Sequence, residues 1–140
     1  MAKMTGAQAI ARMLEDYGVT HIFHVPAILR RTMVELEAST SIKRVRTHGE
    51  KSAAYMADGY ARASRRPGIC MAQTVGALNL AAGLRDAWLA HSPVIAMTGG
   101  RDPATKFRKV YQQNDDVPVF DAVTKFNATV DSVDRFPDMV

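Results

Sequence analysis

Apolar positions along the chain alternate between two periods. Ile10, Met13, Leu14 and Tyr17 recur at helical spacing. Thr5 and Gln8 stand before them in the pattern of a capping box, and Gly18 closes the run. His21 to Val25 is a short apolar strand stopped by Pro26. A second helix is predicted from Ile28 to about Glu37, with Leu29, Met33 and Leu36 on one face. Ile42 to Thr47 reads as a second strand. Gly49 breaks it, and Glu50 opens a third helix that runs to about Ala63. That helix is rich in alanine, so it can pack closely on a neighbour. Gly59 lies inside it and reads as a point of close contact, because a mid-helix glycine costs about 1 kcal/mol relative to alanine.

Ile69 to Gln73 forms a third strand, and a fourth helix follows from about Leu78 to Ala90, with Leu80, Leu84, Ala87 and Trp88 on one side. Val94 to Met97 is a fourth strand. Arg101 to Val117 reads as a long polar loop with one helical turn, and Ala122 to Val130 as a fifth strand. Asp131 or Ser132 then caps a helix with apolar Val133 and Phe136. Strands alternating with helices imply right-handed βαβ units and a mainly parallel sheet of about five strands between two helical layers. The last helix is begun without a strand to follow, which leaves a sheet edge and a helix face uncovered. The expectation is therefore a piece of a longer chain, cut before a sixth strand, or an edge covered by a partner.

Composition narrows the function classes. The chain has 140 residues, 47% hydrophobic and 23% charged, which fits one globular domain. Its net charge is +4, spread over short basic clusters between apolar segments. Apart from Phe107 in the last of them, no aromatics interleave with these clusters as a single-strand nucleic-acid groove would require, so no nucleic-acid partner is predicted. The single cysteine, Cys70, lies in an apolar run; it cannot build a disulfide framework and points to a reducing, cytoplasmic setting. No apolar run reaches the length of about 18 residues that a membrane span needs, so no membrane partner is predicted. No metal-ligand spacing, Walker A or GxGxxG pattern occurs. Their absence disfavours a generic nucleotide or flavin binder.

Ligands of parallel sheets bind outside the strands' carboxyl ends. Those ends are Val25-Pro26, Thr47 to Glu50, Gln73 to Asn79, and Thr98 to Gly100. One carboxylate, Glu50, stands there at the junction of a strand and a helix. Taken alone, it is an ordinary first-turn acid favoured by the helix dipole. The stretch behind it says more. Glu50 to Arg62, E-x-x-A-A-Y-x-A-D-G-Y-A-R, resembles the glutamate helix of the thiamine diphosphate-dependent decarboxylase and acetolactate synthase superfamily. Thr5 to Pro26, Gly76 to Asn79, Ser92 to Gly99, Tyr111 to Gln113 and Val123 to Asn127 resemble other segments of its N-terminal, pyrimidine-binding domain, in the same order.

The resemblance implies a flavodoxin-like fold and the cofactor thiamine diphosphate. It also implies that Glu50 hydrogen-bonds N1′ of the aminopyrimidine, so that the 4′-imine can remove the C2 proton of the thiazolium. Pro26, Gly76, Asn79 and Gln112 map onto cofactor-site positions. The family's glycines after the first strand are replaced by His24 and Ala27, and its GPG turn by Thr74-Val75-Gly76. Its GDG…NN motif, which holds the diphosphate and Mg²⁺ in a second domain, does not occur here. The resemblance therefore implies half of a 2-keto acid decarboxylase or carboligase. It would be inactive without a diphosphate-binding domain, and would work as a dimer or tetramer. FAD, found in some relatives, is not indicated. The alternative is a non-catalytic binding or regulatory module of the same fold.

Overall fold

The computed structural model of the chain describes residues 3–26 and 29–140. Helix α1 (Gly6–Asp16) leads into strand β1 (His21–His24), and α2 (Arg30–Ser39) leads into β2 (Lys43–Arg46). Then follow α3 (Glu50–Ser64), β3 (Gly68–Ala72), α4 (Thr74–Leu89) and β4 (Val94–Thr98). The remainder holds α5 (Val117–Phe120), α6 (Phe136–Met139) and two 3-10 turns, Pro103–Thr105 and Val133–Arg135. The four strands are parallel, in the order β2-β1-β3-β4.

Alternation along the strands builds two cores. Ile22, Ile69 and Met71 face α1 and α2, where they meet Ile10, Ala11, Leu14 and Leu36. Phe23, Cys70 and Ala72 face the other way, onto Ala53, Ala54 and Ala57 of α3 and Ala77, Leu80 and Leu84 of α4. A strand period of two and a helix period of 3.6 thus meet on both faces, and the result is a three-layer α/β sandwich. The capping box of α1 forms as the sequence implies: Gln8 N donates to Thr5 Oγ1 at 3.2 Å and Thr5 N to Gln8 Oε1 at 3.0 Å. The start of the second helix predicted at Ile28, like Ala27, lies outside the described residues.

Three expectations are corrected. Helix α4 begins at Thr74, not Leu78. Its first turn has no periodic apolar signal, but Gly76 and Ala77 are buried and tertiary packing holds them helical. Ala122 to Val130 forms no strand, so the sheet has four strands among the described residues. The backbone there turns locally instead. Val123 N donates to Phe120 O at 3.0 Å, Thr124 Oγ1 to Phe120 O at 2.8 Å, and Asn127 Nδ2 to Asp121 Oδ1 at 2.7 Å. Val123 is spent on the α3/α4 core. Finally, a Cβ on Gly59 would meet nothing within 4 Å. The glycines that permit close approach are elsewhere. The helix face predicted to lie uncovered at the end is partly used, since Phe136 packs on the α1/α2 core.

Candidate functional site

The turn that presents Glu50 is fixed by its own backbone. Thr47 N donates to His24 O at 2.8 Å, which carries the β1–β2 ladder one residue beyond the strand. Thr47 is buried, and its Oγ1 donates to Gly49 O at 3.0 Å. Gly49 O then accepts the first helical bond, from Ala53 N at 3.2 Å. Glu50 is therefore the first residue of α3, at the positive end of a helix of 15 residues.

Most of the recognisable sequence behind Glu50 is scaffold. Ala53, Ala54, Ala57 and Ala61 are buried. Asp58 is only 5% exposed, and Arg62, one turn on, grips both its oxygens, Nε to Oδ1 at 2.9 Å and Nη2 to Oδ2 at 2.8 Å. That fork holds the Asp58 carboxyl below its ordinary pKa. The Tyr60 hydroxyl pairs with Thr20 Oγ1 at 2.6 Å, ahead of β1. These residues keep α3 helical and seated on the sheet, and so fix where Glu50 points.

Helix α4 supplies the rest of the site. Asn79 Nδ2 donates to Glu50 Oε2 at 3.3 Å. Gly76, one turn earlier, lies against the same side chain: a Cβ placed on it would sit 2.8 Å from both Cγ and Cδ of Glu50. Oε1 has no hydrogen-bond partner among the described residues. Gly49, Glu50, Lys51, Ser52, Asn79 and Ala82 line a depression of about 270 Å³. A larger groove of about 430 Å³ runs between α1 and α2 on the opposite face of the sheet, and its charged lining takes no part in this site. Thr74 Oγ1 donates to Gly99 O, which ties the start of α4 to the end of β4.

The structure thus brings Glu50, Gly76 and Asn79 together. It does not bring Gln112 to them by any hydrogen bond. Gln112 has a left-handed backbone (φ 60°) and accepts from Arg101 Nη2 at 3.2 Å, beyond the end of β4. Pro26 is exposed just past β1. Lys51, Ser52 and Ala82 were not read from the sequence as site residues. Lys51 and Ser52 follow Glu50 directly, and Ala82 sits one turn after Asn79, so helical spacing from those two residues was the available signal. Among the described residues no group of three or more His, Cys, Asp or Glu could hold a metal ion. Among the same described residues no helix is long and apolar enough to cross a membrane.

Residues 4–119 match the family model described as thiamine pyrophosphate enzyme, N-terminal TPP binding domain. The chain is 33% identical over 136 residues to a probable acetolactate synthase large subunit from Methanocaldococcus jannaschii, covering 96% of this chain and 23% of that protein. It is 34% identical over 137 residues to a chloroplastic acetolactate synthase from Arabidopsis thaliana, covering 96% and 20%. A probable 2-ketoarginine decarboxylase from Pseudomonas aeruginosa is 28% identical over 141 residues, covering 98% and 25%. The chain therefore spans between 20% and 25% of the length of these relatives.

Proposed function

The chain belongs to the N-terminal TPP-binding domain family of thiamine pyrophosphate enzymes, and from that premise we propose that Glu50 is the carboxyl group that activates the cofactor. The observation that carries this reading is the Glu50 carboxylate itself, at the edge of the depression, with Oε2 anchored by Asn79 and Oε1 beside Gly76 without a hydrogen-bond partner among the described residues. An aminopyrimidine ring nitrogen wants a single carboxyl oxygen with which to share a proton, and the donor set fits. Oε1, which has no hydrogen-bond partner among the described residues, would be the oxygen to take N1′, and Glu50 would hold the shared proton. When bound, the cofactor supplies the electron sink for breaking or making the bond beside a 2-keto group.

The relatives' names speak of acetolactate synthesis and 2-ketoarginine decarboxylation. Our reading for this chain is the cofactor-activating part of an enzyme acting on a 2-keto acid. The diphosphate and its Mg²⁺ are then held by a second domain or subunit, since the GDG…NN motif does not occur here. The assembly is a homo-oligomer with its cofactor between domains, and the reduced Cys70 fits a cytoplasmic setting.

The test is exchange of the C2 proton of thiamine diphosphate for deuterium, followed by NMR. The complex containing this chain and a diphosphate-binding domain should exchange, and the chain alone should not. Glu50→Gln keeps the shape and should slow exchange by about 10²–10⁴-fold. An unchanged rate in Glu50→Gln refutes the assignment. A complete complex that binds the cofactor without exchange would instead be a non-catalytic module.

A further inference from the structure

Gly76 is a glycine that its own helix does not need. It lies in α4, where glycine is disfavoured relative to alanine. Its φ is not positive, so no turn demands it. What a side chain would meet first is Glu50: the three nearest atoms are its Oε1, Cγ and Cδ, the two carbons each at 2.8 Å. Carbon atoms in contact prefer about 3.5–4.0 Å. A Cβ at position 76 and the present orientation of the Glu50 carboxylate therefore exclude each other. Asn79 lies three residues on, on the same helix face, and holds Oε2 at 3.3 Å.

Building on the activation reading above, we propose that Gly76 and Asn79 are positioning residues that act on the cofactor only through Glu50. The empty place at Gly76 receives Oε1 and the carboxyl carbon, and the Asn79 amide anchors Oε2. Together they fix the orientation of the carboxylate while leaving Oε1 without a hydrogen-bond partner among the described residues. This replaces the direct cofactor contacts that resemblance implies for both residues. The neighbour at Gly76 is the end of a flexible side chain rather than backbone. An alanine there moves the carboxylate and leaves the helices where they are. A positioning role therefore parts from a structural one: the fold survives while the carboxylate turns away.

Two readouts test this. The chain has three asparagines, so Asn79→Ala assigns the Asn79 side-chain amide in a ¹H–¹⁵N spectrum of the full chain without cofactor. Gly76→Ala should move that resonance toward its position in Glu50→Ala, with a thermal midpoint no lower than that of the unmodified chain. In the cofactor-loaded complex, Gly76→Ala should keep the affinity for thiamine diphosphate and slow C2 exchange about 100-fold, the cost of a misplaced group. Asn79→Ala should slow it in the same direction. An unmoved Asn79 resonance, or an unmodified exchange rate in Gly76→Ala, overturns the proposal and leaves the role of Glu50 standing. An unmodified rate in Glu50→Gln brings down both.

Discussion

Gly59 of α3 and Gly83 of α4 lie in helix interiors, yet replacing each with alanine should shift stability in opposite directions. Propensity alone favours alanine at both by about 0.5–1 kcal/mol. At Gly59 the new Cβ meets nothing within 4 Å, so the whole gain should appear. At Gly83 it would lie 2.7 Å from the Ala54 Cβ and 2.7 Å from the backbone oxygen of Lys51. Backbone cannot swing aside, so α4 must retreat from α3 by close to 1 Å to restore ordinary contact. Overpacking of this kind costs about 1–3 kcal/mol. The net expectation is about 1 kcal/mol lost at Gly83 and somewhat under 1 kcal/mol gained at Gly59. For a chain of this size each kcal/mol moves the melting temperature by about 3–4 °C. Circular dichroism melts of the two variants should fall on either side of the unmodified chain. If both rise equally, the close approach of α3 and α4 at Gly83 is wrong. If both fall, the outer face of Gly59 is in contact with something.

Two further outcomes follow from buried side chains. His24 is 6% exposed, and burial, with Arg44 and Arg46 nearby, pushes its pKa below 6.5 against the hydrogen bond to Val25 O. The unfolded chain then binds the proton more readily, so this contribution to stability is complete above pH 6.5 and is lost as pH falls below it. Between pH 7 and 5, above the range where the carboxylates lose their charge, urea midpoints should fall more steeply for the native chain than for His24→Asn; equal slopes would refute this. Complete burial pushes the Cys70 thiol up to about 12, so about one molecule in ten thousand carries the thiolate at pH 8. A thiol reagent should label the folded chain only as fast as it opens, and labelling at the rate of a free thiol would show that Cys70 is accessible.

The four strands were legible because each is a short segment bounded by Pro, Gly or a polar cluster, three of them with an apolar centre and β2 a basic stretch around Val45, and the structure places them within two residues of those bounds. Thr5 and Gln8 announced the first helix because capping is local in sequence. Glu50 was legible for a similar reason, since the strand, the glycine and the acid are contiguous. What surrounds it was not. The bond from Asn79 and the fit of Gly76 span some 30 residues and exist only because α4 passes beside α3. Composition drew attention to the wrong glycine, since Gly59 and Gly83 look equally costly until their neighbours are known. Ala122 to Val130 has the residues of a strand, but a strand is a pairing, and one segment cannot show whether a partner lies alongside.

The opening turn of α4, Thr74-Val75-Gly76-Ala77, has a β-branched pair and a glycine where a self-sufficient helix would have better formers. Its helicity is lent by α3. A segment stabilised only from outside is among the first to open in local fluctuations of the native state. When the two helices part, even briefly, the anchor on Oε2 and the seat at Gly76 loosen together. The aim of Glu50 is thus set by how firmly α3 and α4 are pressed together. Whatever clasps that pair, however far from the carboxylate it makes contact, governs how much of the time the group is ready.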